Sequence, residues 1–134
     1  GTSDDLWGVN YVNGTFIAVG ANAVILSSTD GITWTKRNSG GGSRTSAALR
    51  GVAYGNGHFV AVGDSGTILT SPDENSWSKR DSGTRKTLMK VSYGNSTFVV
   101  VGYSGTILTS PDGNSWTKRN SGTSEDLYGV TYSQ

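Results

Sequence analysis

The side chains able to do chemistry are few, and most of them recur. His58 is the only histidine, and there is no cysteine. A nucleophilic triad would have to be built on His58 alone, and a His/Cys metal site lacks its second ligand. Carboxylates recur singly, with Asp30, Asp73 and Asp112 at matching places in three similar segments. Carboxylates doing acid–base work sit close together, so one acid per segment does not make a pair. Lys36-Arg37, Lys79-Arg80 and Lys118-Arg119 recur in the same way. A basic patch can hold nucleic acid, but no aromatic stacking platform accompanies these pairs and the net charge is only +1. No catalytic residues, metal, cofactor or nucleic-acid partner are therefore expected. The longest apolar runs, such as Phe98-Val99-Val100-Val101, fall far short of a membrane span, so no membrane partner is expected either. The absence of cysteine leaves the compartment open.

The elements that must position these residues follow from internal repetition. Residues 49–87 and 88–126 align without gaps and match at 26 of 39 positions. Residues 6–48 form a third copy with an insertion in the stretch Gly40–Ala48, and 127–134 begin a fourth. Each copy contains four short runs rich in β-branched residues, separated by Gly, Asn and Asp. In the second copy the runs are LRGVAY (49–54), HFVAVG (58–63), TILTS (67–71) and SWSKRD (76–81). The separators, such as Gly55-Asn56-Gly57 and Asp64-Ser65-Gly66, suit the positive φ of tight hairpins. Four antiparallel strands in about 40 residues is the size of a propeller blade. The chain is therefore expected to be all-β: one domain over 1–134, with four-stranded blades near 6–38, 49–81 and 88–120 and an extra inner strand at 127–132.

The hairpins carrying the repeated acids, S-T-D-G-I-T-W (28–34), S-P-D-E-N-S-W (71–77) and S-P-D-G-N-S-W (110–116), resemble Asp-boxes of BNR-type propeller repeats. The AVG-x-x-G-x-IL-x-S stretch before them is similar to blades of photosystem-assembly-factor-like and sialidase-like propellers. The turn here is one residue shorter than the usual Asp-box. The resemblance implies a structural role for Asp30, Trp34, Asp73, Trp77, Asp112 and Trp116. Each carboxylate is expected to accept N–H bonds within its turn, and each indole to pack between blades. A sialidase site is not expected. Among Arg37, Arg44, Arg50, Arg80, Arg85 and Arg119, three belong to the repeated Lys-Arg pairs. Those pairs read as protection of the exposed outer strand.

Propellers close with four to eight blades, so three blades leave two apolar faces open. Two chains in a six-bladed ring are the simplest cure, making a second copy the expected partner. Leu127–Tyr132 duplicates Leu6–Tyr11 and is expected to pair with the partner's second strand or to compete there. Where the copies differ, they differ together: in the loops before the first strand (2–5, 40–48, 84–87 and 123–126), at the second residue of each inner strand (Trp7, Arg50, Met89, Tyr128) and in the turn after the second strand (Ala21, Asp64, Tyr103). In an up-and-down blade these places share one face, and variable loops carry binding. Trp7, Arg50, Asp64, Met89, Tyr103 and Tyr128 are the expected ligand face. The expected function is a self-assembling, non-enzymatic scaffold or interaction module, with a protein or a glycan as ligand. A carbohydrate-binding propeller, or an engineered or excised repeat fragment without a ligand, is the alternative.

Overall fold

Hairpin chemistry and strand alternation account for the architecture. A computed structural model of the chain describes residues 6–12, 14–21, 24–37, 48–73, 77–128 and 130. The first blade comprises β1 (Leu6–Val12), β2 (Thr15–Gly20), β3 (Ile25–Ser28) and β4 (Thr35–Arg37). The second comprises β5 (Leu49–Gly55), β6 (His58–Gly63), β7 (Ile68–Ser71) and β8 (Ser78–Arg80). The third comprises β9 (Leu88–Gly94), β10 (Thr97–Gly102), β11 (Ile107–Ser110) and β12 (Thr117–Arg119). Each set is an antiparallel meander whose strands lie in sequence order. The fold is all-β, of propeller-blade type, as the repeat predicts.

Side chains alternate across a strand, and the blades use both faces. In β6, Phe59 and Ala61 pack toward the first blade, joining Ile17, Val19, Ile25, Leu49, Val52, Leu69 and Trp77 in one core cluster. Val60 and Val62 point the other way and join Leu88, Val91, Phe98, Val100 and Leu108 of the third blade. Each blade thus presents a front, bearing the Phe of its second strand, to the back of the blade before it. Within every front three rings stack in series. Tyr54 lies 4.6 Å from Phe59 and Phe59 lies 6.2 Å from Trp77. The Tyr93, Phe98 and Trp116 series repeats this at 4.7 and 6.3 Å. Tilted pairs at these separations add to the area they bury.

The first hairpin of the second blade is a turn with both central residues left-handed, Asn56 at φ 49° and Gly57 at φ 78°. The third blade has the same turn with Asn95 at φ 51° and Ser96 at φ 59°. A side chain in that region costs about 1–2 kcal/mol. Gly removes that cost but raises the entropy of the unfolded chain, which offsets part of the gain, so Ser96→Gly is expected to stabilise the protein by a net of about 0.5–1 kcal/mol. A higher urea midpoint at unchanged m-value is the expected readout.

Of the extra strand expected at 127–132, residues 129 and 131–132 fall outside the described residues, and Leu127, Tyr128 and Val130 carry no strand pairing within this chain. Every inner strand hydrogen-bonds to the second strand of its own blade, and the place beside Phe16–Gly20 is held by the chain's own Leu6–Val12. Leu127 instead donates its N–H to the Gly102 carbonyl at 2.9 Å.

Candidate functional site

The register of each inner strand slips once, always at the same point. Leu49 pairs with Gly63 and Gly51 with Val62, leaving Arg50 unpaired between them. Trp7 is left out between Leu6 and Gly8 in the first blade. Met89 is left out between Leu88 and Lys90 in the third. The variable second residue of each inner strand is therefore a β-bulge, which re-aims a side chain out of the ladder. Sequence comparison among copies marks these positions as variable. It does not reveal the bulge, because register is a property of two strands.

The bulges bring several of the expected residues into contact. Arg50 Nε donates to Asp64 Oδ1 at 2.5 Å. The same guanidinium sits 4.7 Å from the centre of the Trp7 ring. Asp64 lies in the turn after β6, so one side chain from each of three elements meets here. The Asp64 hydrogen bond binds the Arg50 proton more firmly. In the third blade Tyr103 meets Tyr128 edge to face, with centroids 6.2 Å apart. Asp126 ties that pair to the blade. It accepts the Ser104 N–H at 2.9 Å and the Tyr128 hydroxyl at 3.4 Å, and its charge pushes the Tyr128 phenol up. Met89 is half-buried at the third bulge. Asp126 is the residue the sequence reading left out; only its place in a variable loop pointed to it.

The other end of the blades is uniform and structural. Asp30 Oδ1 accepts the N–H groups of Ile32 at 2.8 Å and Thr33 at 2.9 Å. Ser28 Oγ donates to the same oxygen at 3.0 Å and accepts the Gly31 N–H at 2.8 Å. Asp112 repeats the pattern with Asn114 at 2.8 Å, Ser115 at 3.1 Å and Ser110 at 3.1 Å. Ser71 bonds Asp73 likewise at 3.1 Å. The Thr33 and Ile32 N–H groups hold the Asp30 carboxyl below the usual carboxylate range, and those of Asn114 and Ser115 do so for Asp112. Trp34 and Trp116 each close the same turn through Nε1, to Gly31 at 3.1 Å and Gly113 at 3.0 Å. These acids cap turns. Trp77 is buried between blades, whereas Trp34 is 37% exposed because no described residue covers the front of the first blade.

His58 lies beside its own turn, with Nδ1 3.1 Å from the Asn56 carbonyl oxygen. Among the described residues no three His, Asp or Glu side chains gather as a metal site. Among the same residues no helix is long and apolar enough to cross a membrane.

Three repeated four-stranded meanders, packed front to back, define a protein of the β-propeller class. Among solved structures the chain is similar to YCF48 bound to a D1 peptide, with TM-score 0.73 and 21% identity over 87% of this chain and 40% of that one. It is also similar to YCF48 from Cyanidioschyzon merolae, with TM-score 0.72 and 20% identity over 87% of this chain and 40% of that one. At this identity the likeness carries the fold. The chain spans less than half the length of both structures. No protein-family model and no curated protein matches it.

Proposed function

We propose that the chain is a non-enzymatic interaction scaffold whose ring is closed by a second copy, two three-bladed chains making six blades. The observation that carries this is the complementarity of its two open faces. The front of the first blade exposes Leu6 at 47%, Val9 at 65% and Trp34 at 37%. Their counterparts in the second blade, Leu49, Val52 and Trp77, are at most 5% exposed. Leu6, Trp7, Gly8, Val9, Ala18 and Trp34 line an apolar groove there. On the back of the third blade Val99 and Ile107 are half-buried, while Val60 and Ile68 at the same places are fully buried. Placing the front of one chain on the back of another would repeat the two junctions already present inside each chain. Both contacts are heterologous, and a ring of two closes them.

The bulge-side rim of Trp7, Arg50, Asp64, Met89, Tyr103 and Tyr128 is the proposed ligand face, and a protein segment is the proposed ligand. The similarity to a YCF48 structure holding a D1 peptide supports a protein ligand. The geometry of Trp7 supports it too: one ring face is already occupied by Arg50, which leaves less of the indole for a sugar. Light scattering tests the assembly. A mass of twice 14.0 kDa is expected. The mass of a single chain at all concentrations would overturn ring closure by a second copy.

A further inference from the structure

Two segments of the chain are fitted to one surface. Residues 127–132 read LYGVTY and residues 6–11 read LWGVNY, alike at four of six positions. Both carry an aromatic residue at the second place, where β5 has Arg50 and β9 has Met89. The described part of the later segment, Leu127, Tyr128 and Val130, lies on the third blade where the inner strand of a following blade would lie. Leu127 donates its N–H to the carbonyl of Gly102, the last residue of β10, at 2.9 Å. Tyr128 sets its ring edge to face with Tyr103. Val130 lines one cavity with Lys90, Val91, Ser92 and Tyr93 of β9. Inside the chain β9 runs beside β5 in the same way. A Cβ at Gly51 would lie 3.2–3.4 Å from backbone atoms of Lys90, Met89 and Val91. Val91, the counterpart of Val130, shares a core cluster with Ala53, the counterpart of Ser92.

The same place falls to the partner's β1 when the front of one chain meets the back of the other. There the partner's Trp7 would replace Tyr128 beside Tyr103, and the partner's Val9 would replace Val130. Both segments cannot sit there at once. Keeping 127–130 in place would require the partner's β1 to leave its own β2, across six paired positions. Moving the segment out breaks, among the described residues, one backbone hydrogen bond and one ring contact. Leu127 and Val130 are only half-buried and Tyr128 is 63% exposed, so little apolar burial is given up. The incoming blade adds a whole front, Trp34 included, to what the segment covers.

We propose, resting on ring closure by a second copy, that Leu127, Tyr128 and Val130 form a displaceable plug. They hold the back of the third blade in the single chain and are expelled by the partner's β1 as the ring closes. Asp126 accepts the Ser104 N–H at 2.9 Å and keeps the root of the plug beside its site. The plug therefore competes from within the molecule, at an effective concentration on the order of millimolar. A surface left free in about 1–10% of molecules makes the apparent association about ten- to a hundredfold weaker.

The test is light scattering of the full chain over a concentration series, with two variants of the plug. Leu127→Asp removes its apolar anchor and Tyr128→Ala removes its ring contact. Leu127→Asp is expected to reach the mass of two chains at about ten- to a hundredfold lower concentration. Tyr128→Ala is expected to shift the same way by less. Hydrogen exchange at the Leu127 amide of the unaltered chain is expected to quicken as association proceeds, because the bond to Gly102 is given up. Association that is unchanged or weakened in Leu127→Asp, or a Leu127 amide better protected on association, would overturn the plug and leave ring closure standing. The mass of a single chain at every concentration in all three proteins would overturn ring closure itself, and the plug with it.

Discussion

A Val9→Asp chain is expected to run at the mass of one chain while keeping its fold. Val9 is 65% exposed within the chain, so a carboxylate there remains in water as long as the chain is alone. Its counterparts Val52 and Val91 are 5% and 2% exposed at the two internal junctions. If a second copy covers the first blade as each blade covers the one before it, the carboxylate is buried in an apolar seam without a partner. Losing the valine contact and burying the charge together cost about 4 kcal/mol, a weakening of roughly a thousandfold. Circular dichroism should be unchanged, and light scattering should report the single chain. Val52→Asp is the companion variant. The same charge at the same place in the next blade should unfold the chain, because that junction lies within one polypeptide. A Val9→Asp chain that kept the mass of two chains would remove the first-blade front from the assembly.

Gly63→Ala is expected to cost about 3–5 kcal/mol, a large fraction of a small domain's stability. Gly63 pairs with Leu49 at the bulge, and the two strands approach closely there. A Cβ at Gly63 would fall on the Ala48 carbonyl oxygen and within 2.8 Å of Leu49 Cα. Both are backbone atoms, so relief requires moving the start of β5. Ala48 also accepts the Asp64 N–H at 2.9 Å, so the movement would release the turn that holds Asp64 against Arg50. Gly57→Ala separates space from conformation. A Cβ there meets nothing within 4 Å, and only its φ of 78° opposes the change, so about 1 kcal/mol is expected. Urea denaturation of the two variants checks the pair. Equal losses would show that close approach at Gly63 is not what restricts that position.

The blades were legible because repetition and turn chemistry are local. Four apolar runs punctuated by Gly-Asn and Asp-Ser-Gly specify four strands, and a second and third copy of the pattern exclude coincidence. The bonds of Asp30 and Asp112 are local in the same sense: each carboxylate accepts from N–H groups two and three residues ahead. The outer-strand charges were legible as surface, but not the anchoring of Arg80 by Thr70, ten residues away on the neighbouring strand. The segment 127–132 copies the residues of β1, but a strand needs a neighbour to complete its ladder, and residue identity does not supply the neighbour.

Alone, the sequence determined the repeat, the four strands of each blade and the residues of their turns. All of these depend on residue types a few positions apart along one chain. The tertiary structure alone decided three things. It placed Trp7, Arg50 and Met89 at bulges. It joined Trp7, Arg50 and Asp64 into one contact, and among the described residues it left Leu6, Val9 and Trp34 exposed on the front of the first blade. Bulges arise from register between two strands, and an exposed face arises from which blade packs on which, so both are set by pairings that no single stretch of sequence contains.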